Sequence, residues 1–88
     1  MEALAAQIRI ELKEAVRRAD DPEEEAGQRI AALHKQWLSY TWPSYTREAH
    51  AALAQMYIAD ERFRAYYNQK QAGCAQFLCT AVQKYTEQ

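Results

Sequence analysis

Apolar positions recur along this chain at intervals of three and four residues, the spacing of helices that each bury one face. From Glu2 to Arg18, Leu4, Ile8, Leu12, Ala15 and Val16 form one stripe, with Arg9, Lys13 and Arg17 elsewhere on the surface. Asp20, Asp21 and Pro22 end that element and start the next. Asp21 is of N-cap type, Pro22 suits the first helical position, and Glu24 stands three residues beyond Asp21 as the reciprocal partner. The second helix runs to about Tyr40 and buries Ala26, Ile30, Leu33, Trp37 and Leu38, with Gly27 costing up to ~1 kcal/mol relative to alanine.

Trp42-Pro43 stops the second helix, because proline lacks an amide proton and pushes the residue before it out of the α region. Thr46 then caps a third helix that runs to Ala59. Asp60 is the joint to a short fourth helix, Glu61 to about Asn68: its carboxylate can accept from the free amides there, and Glu61 meets the positive end of the dipole. Leu53, Met56 and Tyr57 share a face before this joint, and Phe63, Tyr66 and Tyr67 repeat the spacing after it. A polar link, Gln69 to Gln71, leads to a last helix with the stripe Cys74, Phe77, Leu78, Ala81, Val82 and Tyr85. No segment reads as a strand. Helices with such short connections can shield their stripes only on one another, which predicts a compact antiparallel all-α bundle of about five helices, one domain over residues 1–88. The third and fourth are too close in sequence to be simple up-down neighbours and should cross steeply.

The run Met56-Tyr57-Ile58-Ala59-Asp60-Glu61-Arg62-Phe63, followed by Ala65-Tyr66-Tyr67 and by Gln71-Ala72-Gly73 opening an apolar helix, resembles the TipAS antibiotic-recognition domain. The resemblance continues backwards through Trp42 to His50 and through His34 to Tyr40, and so covers most of the chain. It implies a small, somewhat globin-like helical module that binds amphipathic antibiotics, notably thiopeptides, in a cleft between helices. Such domains form the sensing half of certain MerR-type transcription regulators, where they follow a winged-helix DNA-binding part, and they also occur as separate drug-sequestering proteins. Members that capture thiopeptides covalently use a cysteine just before the Met-Tyr motif. At that place this sequence has Tyr45, His50 and Ala52 but no thiol, so the resemblance implies noncovalent recognition.

Charge narrows the partners. Eleven basic and twelve acidic residues give a net charge of −1 without a long block of either sign, which leaves no electrostatic footprint for nucleic acid. DNA contact would have to come through an N-terminal part outside this chain. The apolar runs are too short to span a bilayer and no signal-peptide layout opens the sequence, so a cytoplasmic protein without membrane contact is expected.

The aromatic residues carry the functional expectation. Eight of the ten lie between Trp37 and Tyr67: Trp37, Tyr40, Trp42, Tyr45, Tyr57, Phe63, Tyr66 and Tyr67. That exceeds what so small a core can enclose, and each buried hydroxyl or indole N–H needs a partner, so several rings should border a groove. Trp37, Tyr57 and Phe63 fall on apolar stripes, where core packing competes with ligand contact. Tyr40, Trp42 and Tyr45 crowd the Pro43 corner off any stripe, and Tyr66 and Tyr67, adjacent on a helix, cannot be equally buried. These eight and His50 are the expected ligand contacts. A drug-sized closed void would cost several kcal/mol at about 24 cal/mol per Å³, so an open or collapsible groove is expected.

Other chemistry finds little support. His34 and His50 lack a second ligand at metal-binding spacing and read as edge-of-core histidines bonded to a tyrosine or a carbonyl. Cys74 reads as a core residue and Cys79 as a partly exposed one; five positions apart on one helix, they face different ways. Asp60 and Glu61 cap rather than form an acid-base pair, and Glu14 with Arg18 and Glu61 with Arg62 read as surface pairs. No phosphate loop, nucleophile elbow or zinc motif is present, and no residue stands out as an axial haem ligand, so neither catalysis nor a cofactor is expected. The competing reading is a structural or homodimerising module whose surplus aromatics form a subunit contact.

Overall fold

The computed structural model describes residues 2–69 and 71–87; Met1, Gln88 and Lys70, the middle of the polar link, lie outside the described residues. Five helices follow in order: α1 (Glu2–Arg17), α2 (Glu25–Ser39), α3 (Arg47–Ala59), α4 (Glu61–Asn68) and α5 (Cys74–Glu87). No strand occurs among the described residues, and the all-α bundle expected from the spacing is the fold observed.

The last helix is the centre. α5 packs on each of the other four, most closely on α3 and α2. Its sequence explains this: Cys74, Ala75, Phe77, Leu78, Cys79, Ala81 and Val82 are all buried, so apolar residues cover most of its circumference, and alanine and cysteine let neighbours approach. Around it lie Ile8, Leu12 and Ala15 of α1, Ile30 and Ala31 of α2, and Ala54 and Tyr57 of α3. Enclosing a side chain such as Leu12, Ile30 or Leu78 contributes about 1.5–3 kcal/mol each. Side-chain amides pin the assembly: Gln28 donates to the Ala81 carbonyl at 3.1 Å and Gln83 to that of Ala51 at 3.1 Å.

Several boundaries match the sequence expectation and one does not. Thr46 caps α3 by accepting from the Ala49 amide at 3.1 Å, and Asp60 caps α4 by accepting from the Arg62 amide at 2.9 Å. Asn68 closes the next gap, its side-chain oxygen accepting from the Ala75 amide at 2.9 Å. α2, however, starts at Glu25 and not at Pro22. Asp21 accepts from the Glu23 amide at 2.9 Å to form a local turn, and Glu24 occupies the N-cap without a side-chain bond. That turn folds back over Gly27, where a Cβ would stand 1.8 Å from the Pro22 carbonyl oxygen. Gly27 therefore costs helix propensity but permits the close approach. α1 ends with Ala19 at φ 58°, the Asp20 amide donating to Ala15 at 2.9 Å and the Ala19 amide to Val16 at 3.0 Å. This is the Schellman arrangement, with alanine where glycine is usual.

Burial brings further corrections. Cys79, expected partly exposed, is buried, and both cysteines are free. Ala26, Leu33 and Trp37 are half-buried rather than enclosed. Met56 and Phe63 are exposed although they sit on apolar stripes, because α4 is short, buries no residue and covers little of α3. Glu14 does pair with Arg18 at 3.9 Å, whereas Arg62 reaches Asp60 at 3.4 Å instead of Glu61.

Candidate functional site

α1 and α4 are both held to α5 but do not pack closely on each other. The gap between them is a cleft of about 470 Å³, walled by Ala5, Ile8 and Arg9 of α1, His34 and Trp37 of α2, Tyr57 of α3, and Arg62, Phe63, Tyr66 and Tyr67 of α4. The sequence places it there because α4 has only eight residues and spends its aromatic side chains on one side. The walls are mostly carbon, and Phe63 and Tyr66 stand exposed at the rim, so the cleft is open to water and is not a dry void. This is how so small a bundle avoids the penalty of an enclosed cavity.

The rings are held in order. Tyr67 lies 4.8 Å from Tyr57 and 5.0 Å from Tyr66, centroid to centroid, and Tyr57 lies 5.4 Å from Phe63. Such tilted and edge-on contacts suit the aromatic quadrupole. Burial raises the Tyr57 and Tyr67 phenols above the ordinary tyrosine value, so both stay protonated and able to donate.

Beneath the cleft runs a chain of polar side chains, buried except at its half-buried Tyr45 end. Tyr45 Oη lies 2.6 Å from His50 Nδ1, His50 Nε2 lies 2.8 Å from His34 Nδ1, and His34 Nε2 lies 3.2 Å from Tyr57 Oη. Neither imidazole is exposed at all. Burial lowers His34 to about 3, with His50 beside it adding to the effect, and lowers His50 to about 4, with Lys35 nearby contributing. Both rings are therefore neutral at pH 7, each with one N–H to donate and one nitrogen to accept. The chain closes in two orders, with both N–H groups directed toward Tyr57 or both toward Tyr45. Trp37 stacks on His34 at 5.7 Å, and Trp37, His34 and Tyr57 line the cleft together.

The nine residues expected to contact a ligand separate into two places. Trp37, Tyr57, Phe63, Tyr66 and Tyr67 line the cleft. Tyr40, Trp42 and Tyr45 lie at the Pro43 corner: Tyr40 is 60 % exposed, Trp42 and Tyr45 are half-buried with rings 6.1 Å apart, and Tyr45 spends its hydroxyl on His50. His50 is enclosed and reaches the cleft only through His34. Ala5, Ile8, Arg9, His34 and Arg62 are the cleft residues that the aromatic count did not single out. A signal for His34 was present, since it shares the helical face of the buried Ile30 and Leu38.

No group of three or more histidine, cysteine, aspartate or glutamate side chains that could hold a metal ion occurs among the described residues. Cys74 reaches a second, smaller recess beside the cleft, but burial raises its thiol above the ordinary value, which leaves little thiolate for attack. None of the helices is long and apolar enough to cross a membrane among the described residues.

Neither a curated protein nor a solved structure matches this chain at a significant level. The model of one family does match, that of the TipAS antibiotic-recognition domain, and it does so over residues 1–85. The match takes in α1 to α4, α5 up to Tyr85 and every residue of the cleft, and it extends through α1, beyond the stretch from His34 onward that carries the resemblance. This chain belongs to the TipAS antibiotic-recognition domain family.

Proposed function

We propose that residues 1–88 form one ligand-sensing domain, the effector-binding part of a MerR-type transcription regulator in the cytoplasm, and that amphipathic antibiotics of thiopeptide or other kind bind noncovalently in the cleft between α1 and α4. The observation that carries this reading is an open, largely apolar recess of about 470 Å³ rimmed by five aromatic rings in a member of an antibiotic-recognition family. Concave sites of this size with a few placed polar groups are the usual setting for small ligands. Here Tyr57, Tyr66 and Tyr67 bring hydroxyl groups, and Arg9 and Arg62 the charge. Control of transcription passes through a DNA-binding part outside these residues. The raised thiol of Cys74 and the lack of a cysteine before Met56 favour reversible binding over capture.

A second reading is helical association without a small ligand, favoured by the exposure of Ile10 at 58 %, Met56 at 46 % and Tyr40 at 60 %. Titration of thiopeptides and other amphipathic antibiotics, followed by Trp37 and Trp42 fluorescence at low protein concentration, separates the two. Saturable quenching at a fixed low protein concentration is the expected result. Emission that changes only with protein concentration would transfer the function to association.

A further inference from the structure

The cleft does not end at its own wall. A second recess of about 300 Å³ shares Arg9, Tyr66 and Tyr67 with it. The shared wall carries, beside Tyr67, one surface contact: Arg9 Nη1 donates to the Tyr66 hydroxyl at 2.6 Å, and the guanidinium carbon lies 5.7 Å from the centre of the Tyr66 ring. Both side chains are exposed, so Arg9 can rotate outward and widen the opening between the two recesses without disturbing the core.

The charge along these recesses has one sign. Arg9, Lys13 and Arg62 line the two recesses, and among the described residues no carboxylate does. Arg62 is partly offset by Asp60 at 3.4 Å. Arg9 and Lys13 stand one helical turn apart on α1, and no ion pair to either is seen among the described residues. The chain as a whole carries −1, so this is a local feature and not a general basicity. Next to apolar walls a charge interacts more strongly than in bulk water, and a guanidinium can take an acid group through two parallel hydrogen bonds.

The geometry points to an elongated acidic amphiphile as the ligand: its apolar body lies against Trp37 and Phe63, and its carboxylate-type group is taken by Arg9 and Lys13 as the Arg9–Tyr66 contact opens. This rests on the reading of the cleft as the effector site. A cationic amphiphile of the same length would bring a like charge to the same place.

The test uses the full chain with Trp42→Phe, which leaves Trp37 as its one indole, and two probes below their micelle concentrations, decanoate and decyltrimethylammonium. Decanoate should alter Trp37 emission saturably and bind at least tenfold more tightly than the cation. Arg9→Met and Lys13→Met should each reduce that ratio several-fold, while Arg17→Met on the same helix leaves it unchanged. Since both probes are read on the same variant, general loosening would move both affinities and spare the ratio. Equal or tighter binding of the cation, or a ratio indifferent to Arg9 and Lys13, overturns the acidic class and leaves the cleft as a binding site. Failure of both probes to change Trp37 emission overturns the effector-site reading together with it.

Discussion

His34 Nδ1 and His50 Nε2 lie 2.8 Å apart inside the bundle, and neither ring is exposed to solvent. One nitrogen must donate and the other accept, so the contact suits two neutral imidazoles and opposes a charge on both, while burial disfavours a charge on either. It joins α2 to α3 where those helices would otherwise present polar nitrogens to an apolar core.

Stability should therefore fall as pH drops below neutrality. In the folded state His34 titrates at about 3 and His50 at about 4, against 6.5 for the free side chain. Between those values the unfolded chain binds more protons than the folded one, so stability rises with pH across the window and is fully present above 6.5. Each histidine contributes a slope of up to about 1.4 kcal/mol per pH unit. Urea unfolding between pH 7 and pH 4 should show uptake of nearly two protons near pH 5. Uptake of well under one proton would mean that the pair is not held neutral.

The two ends of the polar chain should respond differently to loss of a hydroxyl. Tyr57 is buried, so Tyr57→Phe leaves His34 Nε2 without a partner and should cost about 1–3 kcal/mol. Tyr45 is half-buried at the corner, where water can replace its hydroxyl on His50 Nδ1, and Tyr45→Phe should cost less than ~1 kcal/mol. Chemical unfolding of both variants gives the comparison; equal costs would mean that both ends are equally shut off from water.

Gly27→Ala should destabilise, against the helix-propensity expectation of a gain near 1 kcal/mol. The added methyl would meet the Pro22 carbonyl oxygen at 1.8 Å, and backbone at that distance must move. A loss of about 1–3 kcal/mol is expected by thermal unfolding, the range for overpacking at a tight contact. A stabilised variant would show that the Asp21–Glu24 turn shifts freely.

The same glycine shows where the sequence could and could not be read. Four of the helices were legible to within a residue or two, because stripes such as Ile8–Leu12–Ala15 on α1 and Phe77–Leu78–Ala81 on α5 follow from burial against one core. The start of α2 was not, since Asp21, Pro22 and Glu24 carry every local mark of an N-terminus and only the fold-back over Gly27 puts them in a turn. The surplus of rings was legible, but its location was not. Trp37, Tyr57 and Phe63 follow core spacing, yet they border a gap because α4 is too short to close it, a fact of tertiary packing that no spacing records. The histidine pair, 16 residues apart, could be suspected from each ring's place on a buried face but not joined.

Phe63 and Tyr40 separate the cleft from the Pro43 corner by experiment. Both are aromatic and exposed, at 36 % and 60 %, so truncating either should cost the fold little. Only Phe63 borders the recess, beside Tyr57 at 5.4 Å. With 1-anilinonaphthalene-8-sulfonate as probe, Phe63→Ala should weaken saturable binding about tenfold, which corresponds to about 1.4 kcal/mol of lost ring contact. Tyr40→Ala should change it by less than about twofold, because a ring that touches no bound molecule contributes nothing to its affinity. The opposite ranking would place the bound probe among Tyr40, Trp42 and Tyr45, and α1, α4 and the Arg9–Tyr66 contact would then have no part in holding it.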